Sequence, residues 1–458
     1  MTAPPPEHPA TPTTPTTPGA PAAYAGRILA LLTVANVLNF YDRAIPAVVV
    51  EPVRQEFGLT DSQVGVLSSA FIVVYAIAGV LLGRLADAGS RRKVMAAGLL
   101  LWSVFTALSG GAWSFASLLL FRLGVGIGEA SYAPSANALI FDTWPTHRRA
   151  RAVSIFQIAL PVGLLLAYLT VGPIVERTGS WRWPFVVAAV PGLGLAILLW
   201  FMPEPPHIGQ VASERIAQPL RHLIRIRTLR WLILAGIGTQ IANYAGATFL
   251  VPLLQRWFGM PLSRASLGAG LVLGAAGLLA YPTAGVLLDW AARHSLRRRL
   301  VVGATGATLA MPLAWLALLQ PPGGSALFLA WLAAGWFTGA FMGVAVLAAL
   351  SDVVPAALRA TAVAVYLGAT YLLGGSLGPL LAGGLSDRLS RSAREHPGPL
   401  PGGVAPEAVG LHASLLIIIP ASFALAAVAA WLATRTITGD HDRLAAHTPG
   451  NNEAHARS

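Results

Sequence analysis

The 458-residue chain contains no cysteine, which excludes disulfides, thiolate nucleophiles and thiolate metal ligation. Charge is scarce: 11% of residues are Asp, Glu, Lys or Arg against 55% hydrophobic, and mean hydropathy is +0.64. Soluble domains carry about 25% charged residues, so a water-soluble fold is excluded. The alternating ten-residue segments of a transmembrane β-barrel are also missing. What is present is a series of apolar stretches of about 20 residues, each long enough to cross a bilayer as a helix. The chain therefore reads as an all-α polytopic membrane protein. Its net charge of +12 does not mark nucleic acid, because the arginines and lysines sit in short loops between apolar runs. Residues 1–26 are rich in Pro, Thr and Ala and lack a basic n-region, so they read as a disordered tail and not as a signal peptide.

Twelve spans are predicted. Six fall at 27–50, 62–82, 94–111, 114–140, 150–172 and 183–201, and six at 231–257, 265–288, 300–319, 325–350, 360–386 and 411–434. This gives an N-terminal six-helix bundle (27–201), a linker (202–230) holding Arg215, Arg221, Arg225, Arg227 and Arg230, a C-terminal bundle (231–434) and a polar tail (435–458). From Ile216 to Trp231 the linker mixes apolar residues with arginines; a helix lying on an anionic membrane surface and a plain connection both fit. One set of loops carries about twice the Arg and Lys of the other, so that set is expected to be cytoplasmic, which places both termini inside the cell.

The halves repeat one another. Asp142, Pro145, Arg149, Ala150, Ala152 and Val153 after the fourth span recur as Asp352, Pro355, Arg359, Ala360, Ala362 and Val363 after the tenth, an offset of 210 residues. Gly83 and Asp87, followed by Arg91 and Arg92, recur as Gly285 and Asp289, followed by Arg293. Gly172, Glu176 and Arg177 recur as Gly383, Asp387 and Arg388. Two parallel six-helix repeats joined by a basic linker form the architecture of an alternating-access transporter.

On these residues the chain resembles the major facilitator superfamily over essentially its whole length. The loop of Gly83, Arg84, Leu85, Ala86, Asp87 and Arg92 looks like that superfamily's signature between spans two and three, although Ala88 and Ser90 replace a common basic residue and a common glycine. Asn39, Phe40, Tyr41, Asp42 and Arg43 in span one, with Arg122, Gly128, Glu129, Ala130 and Ser131 in span four, are similar to the Spinster family. The resemblance implies a proton-coupled or facilitative carrier of lysophospholipids or sphingoid lipids in the cell (inner) membrane. It implies protons and membrane lipids as partners, a monomer, and neither enzymatic activity nor a cofactor.

Of 19 acidic residues, only Asp42 and Glu129 fall well inside predicted spans, and none of the ten histidines lies deep in one. Intramembrane charges are functional candidates by default, so proton coupling is expected at these carboxylates. Counting helical rise places Asp42 about 22 Å up span one and Arg122 at nearly that level, with Glu129 about 10 Å deeper. Arg122 is thus expected to pair with either carboxylate, protonation shifting the balance; a static pair tying the two helices is the competing reading. Arg43 must face elsewhere, toward a headgroup phosphate or out to the interface. Gly124, Gly126 and Gly128 are read as packing glycines. Asn39, Tyr132, Asn243 and Tyr244 are further substrate-contact candidates, alongside Asn36, Ser131, Ser135, Asn137, Gln157 and Gln240, each of which also suits a helix–helix hydrogen bond. Asp87, Arg91, Arg92, Asp142, Arg149, Asp352 and Arg359 are gate candidates or ordinary topology charges. Competing functions are carriage of a small organic anion or drug, a membrane-embedded lipid enzyme, and a channel. The enzyme lacks a nucleophile–base pair or metal ligands in the spans, and the duplicated halves disfavour an open pore.

Overall fold

A computed structural model describes residues 22–203, 219–355, 358–396 and 403–446. Among these, ten helices are long and apolar enough to cross a membrane. Two more crossings complete twelve. One is broken in the middle, and in the other Thr239, Gln240, Asn243 and Tyr244 dilute the apolar run. We number the crossings α1 (Ala22–Val48), α2 (Asp61–Ala88), α3 (Arg91–Gly110), α4 (Phe115–Ala130 and Tyr132–Thr143), α5 (Thr146–Gln157 and Ala159–Thr178) and α6 (Trp183–Phe201). The second half comprises α7 (Arg227–Arg256), α8 (Leu262–Gly270 and Ala276–Ala292), α9 (Leu296–Leu318), α10 (Ser325–Val353), α11 (Arg359–Ala369 and Leu377–Glu395) and α12 (Pro406–Ala446). Several helices outrun their apolar runs: α12 continues past residue 434 because a helix need not end where the bilayer does.

The breaks have local causes. Proline has no N–H and clashes with the carbonyl four residues back, so Pro134 parts α4 at Ser131 and Pro161 parts α5 at Ile158. At the α4 break Ser131 donates to the Gly128 carbonyl through both its N–H and its hydroxyl. Single π turns interrupt α8 at Leu271–Ala275 and α11 at Thr370–Gly375, a distortion frequent at functional sites. Between α1 and α2, the short helix Val50–Phe57 ends on Gly58 at φ 63°, a left-handed position that glycine adopts without strain. Thr60 then starts α2 with a capping box to Gln63. In the linker, residues 204–218 lie outside the described residues; Pro219–Arg225 is a short helix whose Leu223 is buried against the second half.

The packing is asymmetric along the membrane normal. At the end bearing the termini each half has its own core, Ile28, Met95, Trp102, Leu139 and Phe156 in the first and Leu229, Leu300, Met342, Val353 and Ile437 in the second. At the distal end one continuous core spans both halves, joining Ile45, Val53, Leu67, Tyr168 and Phe185 to Phe249, Leu254, Leu262, Phe328 and Leu411. The halves are closed together distally and separately packed at the termini end.

Candidate functional site

Four charged side chains meet where α1 crosses α4. Asp42 and Glu129 are each 0% exposed and Arg122 is 3% exposed. The close approach behind them is built by glycine. A Cβ at Gly98 would sit 1.8 Å from the Ser131 hydroxyl, and one at Gly128 would sit 2.7 Å from the Gly98 carbonyl. Only backbone fits between α3 and α4 at that level, as small-residue packing requires.

The pairing differs from the expectation drawn from helical rise. Glu129 is held by Arg43, Nε to Oε2 at 2.5 Å, while Arg122 has no carboxylate oxygen within 4.0 Å among the described residues. Rise counting tracks backbone heights, whereas a guanidinium acts at the end of a long stem, so Arg43 spans the level difference that counting assigned to Glu129. Arg43 accordingly points inward and does not snorkel. Its guanidinium carbon lies 4.3 Å from the centre of the Tyr75 ring, with Phe40 at 5.4 Å and Phe71 at 5.6 Å. Arg122 instead lies 5.0 Å over Phe71, within cation–π range. Asp42 accepts a 3.3 Å hydrogen bond from the Thr106 hydroxyl. Phe71 lies under both guanidinium groups, which places Arg122 beside the Arg43–Glu129 pair. Among the described residues, Asp42 Oδ1, Glu129 Oε1, Arg122 Nη1 and Asn39 Nδ2 are buried and have no hydrogen-bond partner, a concentration unusual in native structures.

The second half completes the surroundings. Tyr244 of α7 and Tyr371, within the π turn of α11, stand edge to face at 6.0 Å. A Cβ at Gly375 would lie 3.3 Å from the Tyr244 ring and 3.5 Å from Ile72 of α2, so the two halves approach each other beside these tyrosines. Tyr75 and Tyr371 are new members of the site. Asn243 donates to Gln240 at 3.3 Å. Tyr132 departs from the expected substrate contact: it is 1% exposed, packed edge-on to Trp102 at 5.5 Å and stacked with Phe156 at 6.4 Å, and its hydroxyl donates to the Leu32 carbonyl. Among the polar candidates, Asn36 bridges α1 to α5 through the Phe156 carbonyl. Ser135 and Asn137 bond carbonyls of their own helix. Among the described residues no cluster of three His, Asp or Glu suits a metal ion.

The gate candidates at the termini end pair within halves. Arg91 binds Asp142 in the first half and Arg299 binds Asp352 in the second. The two aspartates are repeat-related, and each arginine lies in the first turn of the helix that follows the preceding loop. Arg149 turns back to the Trp144 carbonyl at 3.0 Å and does not meet Asp142, and Arg92 reaches the Met202 carbonyl at 2.6 Å. Arg359 is exposed, and the side chain of Asp87 lies outside the described residues.

The polar ties between halves that can be described lie toward the distal end, where sequence reading placed no gate. Arg256 of α7 binds Glu51 at 2.6 Å and Asp61 at 2.9 Å. Ser386 of α11 donates to Asp61 at 2.6 Å. The repeat adds a symmetric element: Asp387, in the second segment of α11, accepts from the Asp61 and Ser62 amides that begin α2, and Glu176, in the last turn of α5, accepts from the Ser263 amide that begins α8. Each carboxylate sits on the positive N-terminus of a helix of the other half. A Cβ at Gly383 would lie 2.2 Å from the Asp61 carbonyl, so the backbones of α2 and α11 touch there. Burial pushes the Glu51 carboxyl up, but Arg256 and Arg54 outweigh it and hold the group below the usual glutamate range.

This architecture agrees with what the chain is similar to. Residues 32–379 match the Major Facilitator Superfamily. The chain is 29% identical over 414 residues, 89% of its length and 92% of the other, to an MFS-type efflux pump of Mycolicibacterium smegmatis. It is 31% identical over 397 residues to protein spinster homolog 1 of Homo sapiens, covering 80% and 74% of the two chains. It is 29% identical over 409 residues to a sphingosine-1-phosphate transporter of Mus musculus, covering 80% and 71%. A solved bacterial homolog of the human lysosomal transporter Spinster, in an inward-facing and unoccupied conformation, superimposes with a TM-score of 0.81 at 27% identity, over 92% of this chain and 99% of that one. Two six-helix halves, distally closed around charges buried on α1 and α4, together with these matches, make the chain an integral membrane transporter that belongs to the Major Facilitator Superfamily and, within it, to the Spinster family.

Proposed function

We propose that the protein is a proton-coupled secondary transporter of amphipathic lipids of the lysophospholipid or sphingoid type, working by alternating access as a monomer in the cell membrane with both termini cytoplasmic. The observation that carries this reading is the buried Arg43–Glu129 pair beside the unpartnered atoms of Asp42, Arg122 and Asn39. Glu129 holds either a proton or the Arg43 guanidinium in a full ion pair. Protonation therefore releases Arg43, whose fork suits a phosphate, and a bound anionic headgroup favours the protonated carboxylate in return, as linkage requires. Asp42 and Arg122 supply a second acid and a second cation at the same crossing. Tyr75, Tyr244 and Tyr371 offer ring faces with polar tips, which suits a molecule that is polar at one end and apolar at the other. The distal ties hold this conformation open toward the termini, and the Arg91–Asp142 and Arg299–Asp352 pairs lie where the halves would meet on closing that end. The relative named as a sphingosine-1-phosphate transporter supports the lipid class.

The similarity to an efflux pump over 92% of that protein favours a second reading, in which Arg43 and Arg122 hold a small organic anion or drug. Uptake into proteoliposomes separates the two. The first reading expects saturable uptake of a lysophospholipid or sphingoid base, stimulated by an imposed pH gradient and not competed by soluble carboxylates. Transport of soluble anions with no lipid transport would overturn it in favour of the second.

A further inference from the structure

A cavity of about 450 Å³ opens on the side of the first half, between the termini-side ends of α2, α3, α4 and α6. Its walls are apolar, and Leu85 (56% exposed), Leu101 (38%), Ile127 (42%) and Trp200 (46%) face outward around it. Its floor is formed by Gly98, Gly128 and Ser131, the contact that seats the α4 break next to Glu129. One charged residue lines it, Lys93 in the first turn of α3; the side chain is exposed and forms no ion pair among the described residues. From Lys93 to Leu101 the helix rises about 12 Å, enough for a substantial part of an acyl chain. Trp200 lies at the rim near the end of α6, where amphipathic indoles settle at the headgroup level.

We propose that this groove is a binding site for an anionic phospholipid of the leaflet on the termini side, with one acyl chain along α3 and its phosphate on Lys93. The charge is what selects the occupant. Any lipid tail satisfies the apolar walls, but a lone ammonium at their headgroup end discriminates a net-negative lipid from a zwitterionic one, at about fivefold per lysine. The chain then packs against Ile127 and Gly128, directly behind Glu129, so occupancy braces the broken helix from the membrane face. The site is separate from the substrate site described above, and its test needs no transport.

The test is native mass spectrometry and thermal stability of the full chain in detergent with added phosphatidylglycerol or phosphatidylcholine. Wild type is expected to retain phosphatidylglycerol about fivefold better and to be stabilised more by it. Lys93→Gln should equalise the two lipids while keeping both. Ala97→Trp, which fills the groove from an exposed position, should lower retention of both. Equal retention by the wild type, or an anionic preference that survives Lys93→Gln, would overturn the proposal. If Ala97→Trp proves unstable, the comparison of wild type with Lys93→Gln still decides.

Discussion

Arg256→Gln is the sharpest perturbation of the distal closure. The Arg256 side chain is 7% exposed, and its partners Glu51 and Asp61 are 8% and 4% exposed. Removing one member of a buried pair costs about 3–5 kcal/mol, because the remaining charge stays buried and uncompensated. Here Arg54 stays on Glu51 and Ser386 stays on Asp61, so the lower end of that range applies. All of it falls on the closed state, since opening returns these groups to water. About 3 kcal/mol corresponds to a shift on the order of 100-fold toward the distally open conformation. The readout is thiol labelling. The sequence has no cysteine, so Thr248→Cys, buried where α7 meets Ser68 of α2 across the halves, gives a single reporter that reacts only when the distal end opens. Its labelling rate should rise on the order of 100-fold in the Arg256→Gln background. An unchanged rate would refute the assignment of Arg256 as the tie that holds the closed state.

Three further outcomes follow from the same geometry. The distal tie should be insensitive to pH near neutrality: Glu51 is held below its ordinary value of 4.5, so its contribution is complete above that value and fades only as pH falls below it. The ratio of Thr248→Cys labelling rates with and without Arg256→Gln, in which the thiolate fraction cancels, should thus be flat from pH 8 to 6, and a steep change there would show that the latch itself senses protons. Asp142→Asn breaks a pair confined to the first half, so it should lower thermal stability without raising that labelling rate. Tyr132→Phe should cost about 1 kcal/mol of stability for the lost hydrogen bond and leave the apparent substrate affinity in the uptake assay unchanged, because the ring is core.

How much of this was legible in the sequence depended on which physical signal carried it. Apolar runs were enough to mark all twelve crossings, α4 and α7 included, although these two fall short of the others in unbroken apolar helix. Scarcity of intramembrane charge singled out Asp42, Glu129 and Arg122 before any coordinate was known. Which arginine binds Glu129 was not legible, because Arg43 and Arg122 stand at similar levels and side-chain direction decides between them. Tyr75 and Tyr371 are aromatic residues in aromatic-tolerant runs and gave no signal, while Tyr132 looked polar and proved to be packing. The distal ties were hidden because Glu51, Asp61 and Arg256 sit at helix ends, where charge is ordinary. One clue existed: the repeated Gly172–Glu176 and Gly383–Asp387 spacing places an acid at matching positions of α5 and α11, and those acids cap α8 and α2 of the opposite half.

The central claim is that Glu129 exchanges a proton against Arg43 during transport. The direct measurement compares wild type with Glu129→Gln in proteoliposomes, following lysolipid accumulation under an imposed pH gradient and lysolipid exchange without one. A neutral glutamine mimics the protonated carboxyl, so exchange should persist while gradient-driven accumulation falls to the level of exchange. Gradient-driven accumulation by Glu129→Gln equal to that of the wild type would contradict the account.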